Sequence, residues 1–599
     1  VVLSDRVVVL GAVGAAAGAW WSPQLPALVA VGVVVAAVVV RRPWTAVVAV
    51  AVLAAWLGGR AELAANAAVA EGPFTGEVTL VGDPGDASGA VRVEVRAGSR
   101  RFDAWARGRA GAAIRPRLAG ERLSVRGRME ADVPSWLRHR HVVGRMEITE
   151  VIGWRGGDPA SRLANRFRRV LERGVEHLAP DTRALFTGFV FGDDRGQSPA
   201  VADDFRAVGL THLLAVSGQN VAFVLAVASP LLARLSLRGR LAATLVLLGF
   251  FTLVTRFEPS VLRATTMAAI AALSTTVGRP VSAIRTLAAA VVLLVLVDPF
   301  LVHSVGFGLS VGAAAGIILL ARPIAGVLPG PRPLRAALAV TLAAQLGVAP
   351  ILVPVFGGLP VASIPANLLA EPVAGVVMMW GLTAGIVAGL VGGSVATVAH
   401  LPTQVGLSWV AAVARQAREL PLGELDLPLV AVAATAGALA MLAGREGHTK
   451  AARVAAAVVV FAVLVVPALG AHRPPALRTE LAGVGELWQV PVPGGRLRVL
   501  EVESTASAGR ALEALRRNGV RHLDLLISPS GGSRAAALVH QIGRRVGVAR
   551  IWAPAEHRLA GATTPDPGVL ETPGGLRLEV RAVRPRLEVV VSVDPPAAG

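Results

Sequence analysis

The sequence contains no cysteine, which excludes disulfides and any thiolate metal site and leaves the compartment undecided. Its soluble parts must stand on packing alone. Lysine is nearly absent too: Lys450 is the single lysine among 59 basic residues. A phosphate-binding P-loop needs Gly-Lys-Ser/Thr, and Lys450 lies between Thr449 and Ala451, so the chain has no Walker-type nucleotide site. Uphill movement of any substrate must then draw on a partner or a gradient. Negative charge is in short supply, with 40 acidic residues and a net charge of +19. The arginine excess suits a polyanionic partner, and it is equally what a GC-rich genome produces in an Ala-, Gly- and Arg-rich protein. No charged leader with a small-residue cleavage pattern stands out, so no signal peptide is expected.

What is present is apolar sequence. At 599 residues, 54% hydrophobic and with a mean hydropathy of +0.60, the chain is expected to be a polytopic α-helical membrane protein with soluble parts. Apolar segments at 7–21, 25–40 and 45–57 come first, some short for a span of about 20 residues. Arg41 and Arg42 fall in a tight link that the positive-inside rule places in the cytoplasm. A second series runs through 213–232, 241–253, 261–277, 287–302, 304–320 and 336–355, separated by basic clusters such as Arg234, Arg238 and Arg240. Residues 359–398 do not close the alternation and are expected to hold a broken or re-entrant pair. An amphipathic helix at 404–419 and apolar segments at 427–442 and 451–469 follow, which would leave both soluble domains on the outer side.

Between the two series, residues 72–152 change to short alternating runs at 77–81, 90–96, 101–106, 121–130 and 142–151, separated by turns such as Gly82-Asp83-Pro84-Gly85. This is the pattern of a small all-β domain, and five strands are what an OB-fold needs. OB-folds bind single-stranded nucleic acid with a basic groove and stacking aromatics. Arg92, Arg96, Arg101, Phe102, Trp105 and Arg107 supply both chemistries, and a solvated basic face over two core aromatics accounts for them equally. His139 and His141 have no carboxylate or third histidine nearby in sequence and are read as surface residues, not metal ligands. Residues 158–182 read as an amphipathic linker helix, with Arg162, Arg166, Arg168, Arg169 and Arg173 suited to an anionic lipid surface.

The chain is organised around residues 205–222, where polar groups enter sequence otherwise fit for a bilayer. His212, Ser217, Gln219 and Asn220 are costly there unless they face protein or water, and Ser217-Gly218 can interrupt a helix. They are either the glue of a helix interface or the lining of a conduit. Arg263, Gln345, Asn367 and Glu371 are further polar groups at or near membrane depth, with the same two readings.

Gly209-Leu210, then His212-Leu213-Leu214-Ala215 and Ser217-Gly218, resembles the hallmark of the ComEC family of inner-membrane DNA-uptake channels. That family usually continues Leu-His where this chain has Gln219-Asn220. Gly192-Asp193, Arg263-Ala264, Gly306-Phe307-Gly308-Leu309-Ser310, Ala344-Gln345 with Pro350, Phe356-Gly357 and Asn367-Leu368 with Pro372 resemble further family segments in the family's order. The resemblance implies an OB-like domain at 72–152, a transmembrane channel domain at 185–471 after N-terminal helices within 1–60, and a metallo-β-lactamase-like domain at 474–599. In that last domain the place of the family's His-x-His-x-Asp-His loop reads Ser528-Pro529-Ser530-Gly531-Gly532, so no metal, cofactor or nuclease activity is expected. The function implied is passage of single-stranded DNA across the bacterial inner membrane during natural transformation. Its implied partners are single-stranded DNA, membrane lipid, a cytoplasmic motor and an outer DNA receptor. A membrane-anchored metallohydrolase and a small-solute secondary transporter are the alternatives.

Overall fold

The computed structural model describes residues 4–87, 89–420, 422–426, 428–435, 437, 477–492, 495–503, 505–572 and 575–593. The chain divides into two compact units, one made of residues 1–196 and 208–468, the other of 197–207 and 469–599.

The first unit begins with α1 (Asp5–Trp21), α2 (Ala27–Val40) and α3 (Pro43–Ala65), followed by six strands: β1 (Gly72–Leu80), β2 (Gly85–Ala87), β3 (Ala90–Ala97), β4 (Arg100–Ala106), β5 (Arg122–Glu130) and β6 (Val142–Arg155). In β3, valines 91, 93 and 95 point inward while Arg92, Glu94 and Arg96 alternate outward, as the two-residue period of a strand dictates. Because β1 pairs with both β5 and β3, the ring β1–β5–β6–β4–β3 closes on itself, with β2 at its edge. Within it β4 and β6 alone run parallel. Val78, Leu80, Phe102, Leu123, Val125 and Met146 fill its interior, and α4 (Gly108–Ile114) lies between β4 and β5 in the chain. A short helix, α5 (Ser135–Arg138), interrupts the link from β5 to β6.

The expected linker helix at 158–182 is two helices. α6 (Pro159–Gly174) is capped by the Asp158 carboxylate, which accepts from the amides of Ala160 and Ser161 at 3.0 Å each; α7 (Pro180–Phe191) follows. α6 does not lie free on a lipid surface. It packs against two apolar helices described next, and Arg168 on its inner face is only 1% exposed.

The second helical series comprises α9 (Thr211–Leu214), α10 (Gly218–Leu232), α11 (Leu237–Val254), α12 (Pro259–Thr276), α13 (Ala283–Val297), α14 (Val305–Val327), α15 (Arg332–Phe356), α16 (Ser363–Val391), α17 (Gly393–Ala399) and α18 (Leu401–Arg418). The partners of α6 are α11 and α16. Among the described residues, five helices (α3, α11, α14, α15 and α16) are long and apolar enough to cross a membrane, and α2, α10 and α13 are shorter apolar helices. The broken pair expected at 359–398 is instead one 29-residue helix, α16, which continues through Pro372 and ends at Gly392 before the seven-residue α17. Proline is tolerated inside membrane helices when neighbours satisfy the freed carbonyl. The expected apolar segments at 427–442 and 451–469 lie largely outside the described residues. Small residues let α14 and α15 approach closely: a Cβ at Gly316 would sit 2.2 Å from the Ala343 carbonyl, and one at Gly347 would sit 2.2 Å from that of Gly312. α14 and α15 thus meet backbone to backbone, as small-residue helix pairs do in lipid.

The second unit joins α8 (Pro199–Ala207), which lies within the channel domain expected at 185–471, to the C-terminal residues. After the two-residue pair β7 (Leu359–Pro360) and β8 (Glu424–Leu425) of the first unit, its strands are β9 (Arg478–Leu481), β10 (Gly485–Val492), β11 (Gly495–Val502), β12 (His522–Leu523), β13 (Leu525–Ile527), β14 (Gly547–Val548), β15 (Ile551–Trp552), β16 (Gly568–Glu571), β17 (Leu576–Ala582) and β18 (Glu588–Val593). The main sheet runs β15–β13–β11–β10–β9, parallel from β11 through β15, and a separate antiparallel sheet holds β16–β17–β18. Helices α19 (Ala508–Arg517) and α20 (Ser533–Gly543) contribute Leu512, Leu515, Leu538 and Ile542 as buried residues. Asp203 and Asp204 of α8 are buried and pair with Arg516 and Arg545, so this inserted helix is held by charge as well as by Phe205.

Candidate functional site

The hallmark stretch forms a broken helix. α9 ends at Leu214, residues 215–217 are extended, and Ser217 then caps α10, its Oγ accepting from the Gln219 amide at 3.2 Å and donating to Asn220 Oδ1 at 3.1 Å. Backbone without helical partners is tolerated at membrane depth only where protein or water satisfies it. Here Ser260 Oγ at the start of α12 donates to the Val216 carbonyl at 2.6 Å, and the buried Asn220 donates from Nδ2 to the Phe189 carbonyl at 2.8 Å. Among the hallmark polar residues His212 and Gln219 are exposed, Ser217 is half-buried and Asn220 is buried.

Three polar contacts tie this break to distant segments. His212 Nε2 lies 3.6 Å from Glu371 Oε1, while its Nδ1 faces the Gly209 carbonyl at 3.2 Å. Arg263 packs against Gly218, and donates from Nε to Ser310 Oγ at 2.7 Å and from Nη1 to Met267 Sδ at 3.2 Å. Among the described residues no carboxylate lies within ion-pair distance of Arg263. Gln345 Nε2 donates to Ser363 Oγ at 2.6 Å, and Ser363 in turn is the neighbour of Gly209. Ser363, Asn367 and Glu371 stand four residues apart and so share one face of α16. Asn367 is buried, with Oδ1 lacking a hydrogen-bond partner among the described residues. The polar residues scattered over some 160 positions thus converge on one seam. Ser260, Ser310 and Ser363, which complete it, were not singled out from sequence; the four-residue spacing from Ser363 to Glu371 was the available signal.

On the β domain the six predicted nucleic-acid contacts separate. Phe102 is 3% exposed in the centre of the ring, so it offers no face to a base. The β4 alternation that buries Ala104 buries it too. Trp105 sits between Arg92 and Arg145, whose guanidinium carbons lie 5.5 and 4.9 Å from its ring, and Asp103 fastens the stack by accepting from Arg92 Nε at 2.7 Å and Trp105 Nε1 at 2.8 Å. Trp136, exposed and 5.4 Å from Arg92, extends it. Arg107 pairs with Glu147 at 3.1 Å. Arg96 and Arg101 face each other across β3 and β4 with no ion pair among the described residues. A cleft of about 640 Å³ lies beside this domain, between Trp154 and the α6 arginines Arg162, Arg166, Arg169 and Arg173.

A buried ionic cluster joins the β domain to the helices. Arg168 lies 2.9 Å from Asp83 and 2.8 Å from Asp193 and donates to the Val254 carbonyl; Arg256 clasps Asp83 and Asn165; Arg195 binds Asp193 and reaches the Pro84 carbonyl. Burial pushes the Asp83 carboxyl up, but Arg168, Arg256 and Arg195 outweigh it and hold the group down to about 2. Burial likewise raises Asp193, and Arg195 and Arg168 more than offset it. The sequence showed Asp83 as a turn residue and Arg168 as part of a charged face; their pairing was not legible.

In the C-terminal unit, Ser528-Pro529-Ser530-Gly531-Gly532 follows β13, with Ser528 buried and donating to the Ser530 carbonyl at 2.9 Å. Glu503 and Arg534 line the same small cleft.

A family model described as Competence protein matches residues 189–446, which contains every member of the seam. ComE operon protein 3 of Bacillus subtilis (strain 168) is 28% identical over 211 residues, covering 35% of this chain and 27% of that protein, so the match spans about a quarter of the relative's length. No solved structure matches the chain. Residues 189–446 therefore carry a region of the competence-protein family, similar to ComE operon protein 3.

Proposed function

We propose that this protein conducts single-stranded DNA through the inner membrane during natural transformation, and that the seam of His212, Ser217, Gly218, Arg263, Gln345, Asn367 and Glu371 contacts the strand. The observation that carries this is Arg263: a guanidinium brought to the N-terminal end of α10, in a membrane domain, with hydroxyl and thioether partners but no carboxylate among the described residues. A cation at a helix N-terminus is poorly placed unless an anion visits, and a phosphodiester supplies one.

The β ring supports an OB-like reading. Numbered along the chain without β2, its five strands close in the order 1-2-3-5-4-1, with a helix between the third and fourth. On this reading the exposed Arg96 and Trp136 and the half-buried Arg101, with the Arg92–Trp105–Arg145 stack, receive the strand outside the membrane through phosphate contacts and stacking. The strand order of the C-terminal sheet is compatible with a metallo-β-lactamase-like domain. We read that domain as non-hydrolytic, because the loop after β13 offers serines and glycines where such an enzyme needs imidazoles and carboxylates. A cytoplasmic motor and an outer receptor would complete the pathway.

The test is complementation of a transformable bacterium whose own channel gene is deleted. Wild-type protein should restore transformation, Arg263→Ala should lower it at least tenfold at equal protein level, and Arg263→Lys should recover part of the loss. Full restoration by Arg263→Ala would reject Arg263 as a strand contact. A small-solute carrier would restore nothing and bind no oligonucleotide.

A further inference from the structure

His139 and His141, read from sequence as isolated surface residues, have partners in the fold. Both follow α5 in the link from β5 to β6, and His141 takes a left-handed backbone conformation with φ of 61°, uncommon outside glycine. Both rings face the 3-10 turn Pro299–His303 between α13 and α14. His141 Nε2 lies 3.0 Å from Asp298 Oδ1, while the His139 ring stacks on that of His303 with centroids 4.0 Å apart and planes 11° from parallel. Trp20 of α1 lies 4.6 Å from the His303 ring. Glu62 of α3 then brings Oε1 to 4.0 Å from His139 Nε2. One donor atom from each of Glu62, His139 and His303 lies within 4.8 Å of the others, and this is the one such group of three among the described residues.

One detail points to a ligand. His303 Nε2 is buried with no hydrogen-bond partner among the described residues, a condition that costs about 1–3 kcal/mol if nothing relieves it. The flanking cations are engaged elsewhere: Arg138 donates to Asn66 Oδ1 at 2.9 Å and Arg140 pairs with Glu94 at 2.8 Å.

We propose that Glu62, His139 and His303 bind one divalent first-row transition ion, with zinc the best fit. Two imidazoles and a carboxylate make a zinc donor set that leaves a fourth position to water, whereas calcium and magnesium require an oxygen-dominated shell. Tetrahedral bonds of about 2.0–2.2 Å place donors roughly 3.4 Å apart, so the side chains close by about 1 Å on binding. The ligands belong to α3, to the β5–β6 link and to the α13–α14 turn, so the ion fastens the β domain to the helices on which it rests. Without an ion the same residues form an aromatic stack with one weak ion pair.

Full-length protein in detergent, stripped with chelator, is titrated with Zn²⁺ alone, and its thermal midpoint is measured with and without the ion. One zinc per chain is expected, with a zinc-dependent rise in midpoint. His139→Ala, His303→Ala and Glu62→Gln should each weaken binding at least tenfold and abolish the rise, whereas His141→Ala should keep both. Unchanged zinc affinity in folded His139→Ala and His303→Ala proteins would overturn the assignment. Should those variants fail to fold, Co²⁺ added to wild-type protein decides: visible d–d bands of a low-coordinate nitrogen and oxygen site at one equivalent support it, and a spectrum no different from aqueous Co²⁺ overturns it.

Discussion

A Cβ at position 218 would lie 2.4 Å from Arg263 Nη2 and 3.1 Å from the Ala264 Cβ. The nearer of these is the far end of a flexible side chain, which gives way, so Gly218→Ala should cost only about 1 kcal/mol of stability while displacing the guanidinium from Ser310. Transformation in the complemented strain should therefore fall tenfold or more with the thermal midpoint nearly unchanged. Equal losses in both would show that Gly218 serves packing alone. Phe102 behaves in the opposite way. Buried at the centre of the ring, it should cost about 3–5 kcal/mol when cut to alanine, read as a lower thermal midpoint of the full chain. The single-strand affinity of the protein that remains folded should stay within a factor of about two of wild type, since a side chain with no exposed face removes no stacking partner.

At the scale of elements, α6 is the strut between ring and helices, and its fixing point is the buried cluster of Arg168, Asp83, Asp193, Arg195 and Arg256. Removing one member leaves its partners charged and buried, so Asp83→Ala should destabilise the protein by about 3–5 kcal/mol. The pH dependence follows from the sign of the shift. Because the folded Asp83 carboxyl is held down to about 2, its contribution is complete above the ordinary carboxylate value near 4 and is lost as pH falls through the folded value. The thermal midpoint in detergent should be level from pH 7 to about 5 with respect to this group. It should then drop towards pH 2 by an increment worth about 2 kcal/mol, which Asp83→Asn abolishes. An Asp83→Asn protein with the wild-type acid profile would place that sensitivity elsewhere.

The whole molecule carries a net charge of +19, yet many arginines of the β domain are paired, among them Arg107, Arg115, Arg122 and Arg126 with carboxylates at 2.8 to 3.3 Å. Exposed pairs of this kind are worth under about 1 kcal/mol, so a phosphate can replace the carboxylate at little cost. Binding of labelled single-stranded DNA by the full chain should therefore weaken steeply with salt. A track of about four phosphates gives a slope near −3 in log K against log salt. Arg96→Ala with Arg101→Ala should reduce that slope by about one or more and leave sequence preference unchanged. A salt-independent affinity would contradict a phosphate-tracking surface.

Most of the longer elements and their order are legible in the sequence, because hydrophobic period and turn residues act locally. The strands of residues 72–152 and the apolar helices that follow the hallmark stand within a few residues of where periodicity places them. The sequence also marked His212, Arg263, Gln345 and Glu371, since polarity in an apolar run is conspicuous whatever the fold. Their partners come from the fold. Which serine satisfies Arg263, that Phe102 turns inward, that Pro372 bends no helix into two, that α8 packs with the C-terminal unit and that Glu62 and His303 meet His139 are all contacts between distant positions. Such contacts depend on how faces of different elements are brought together, and no local period encodes that.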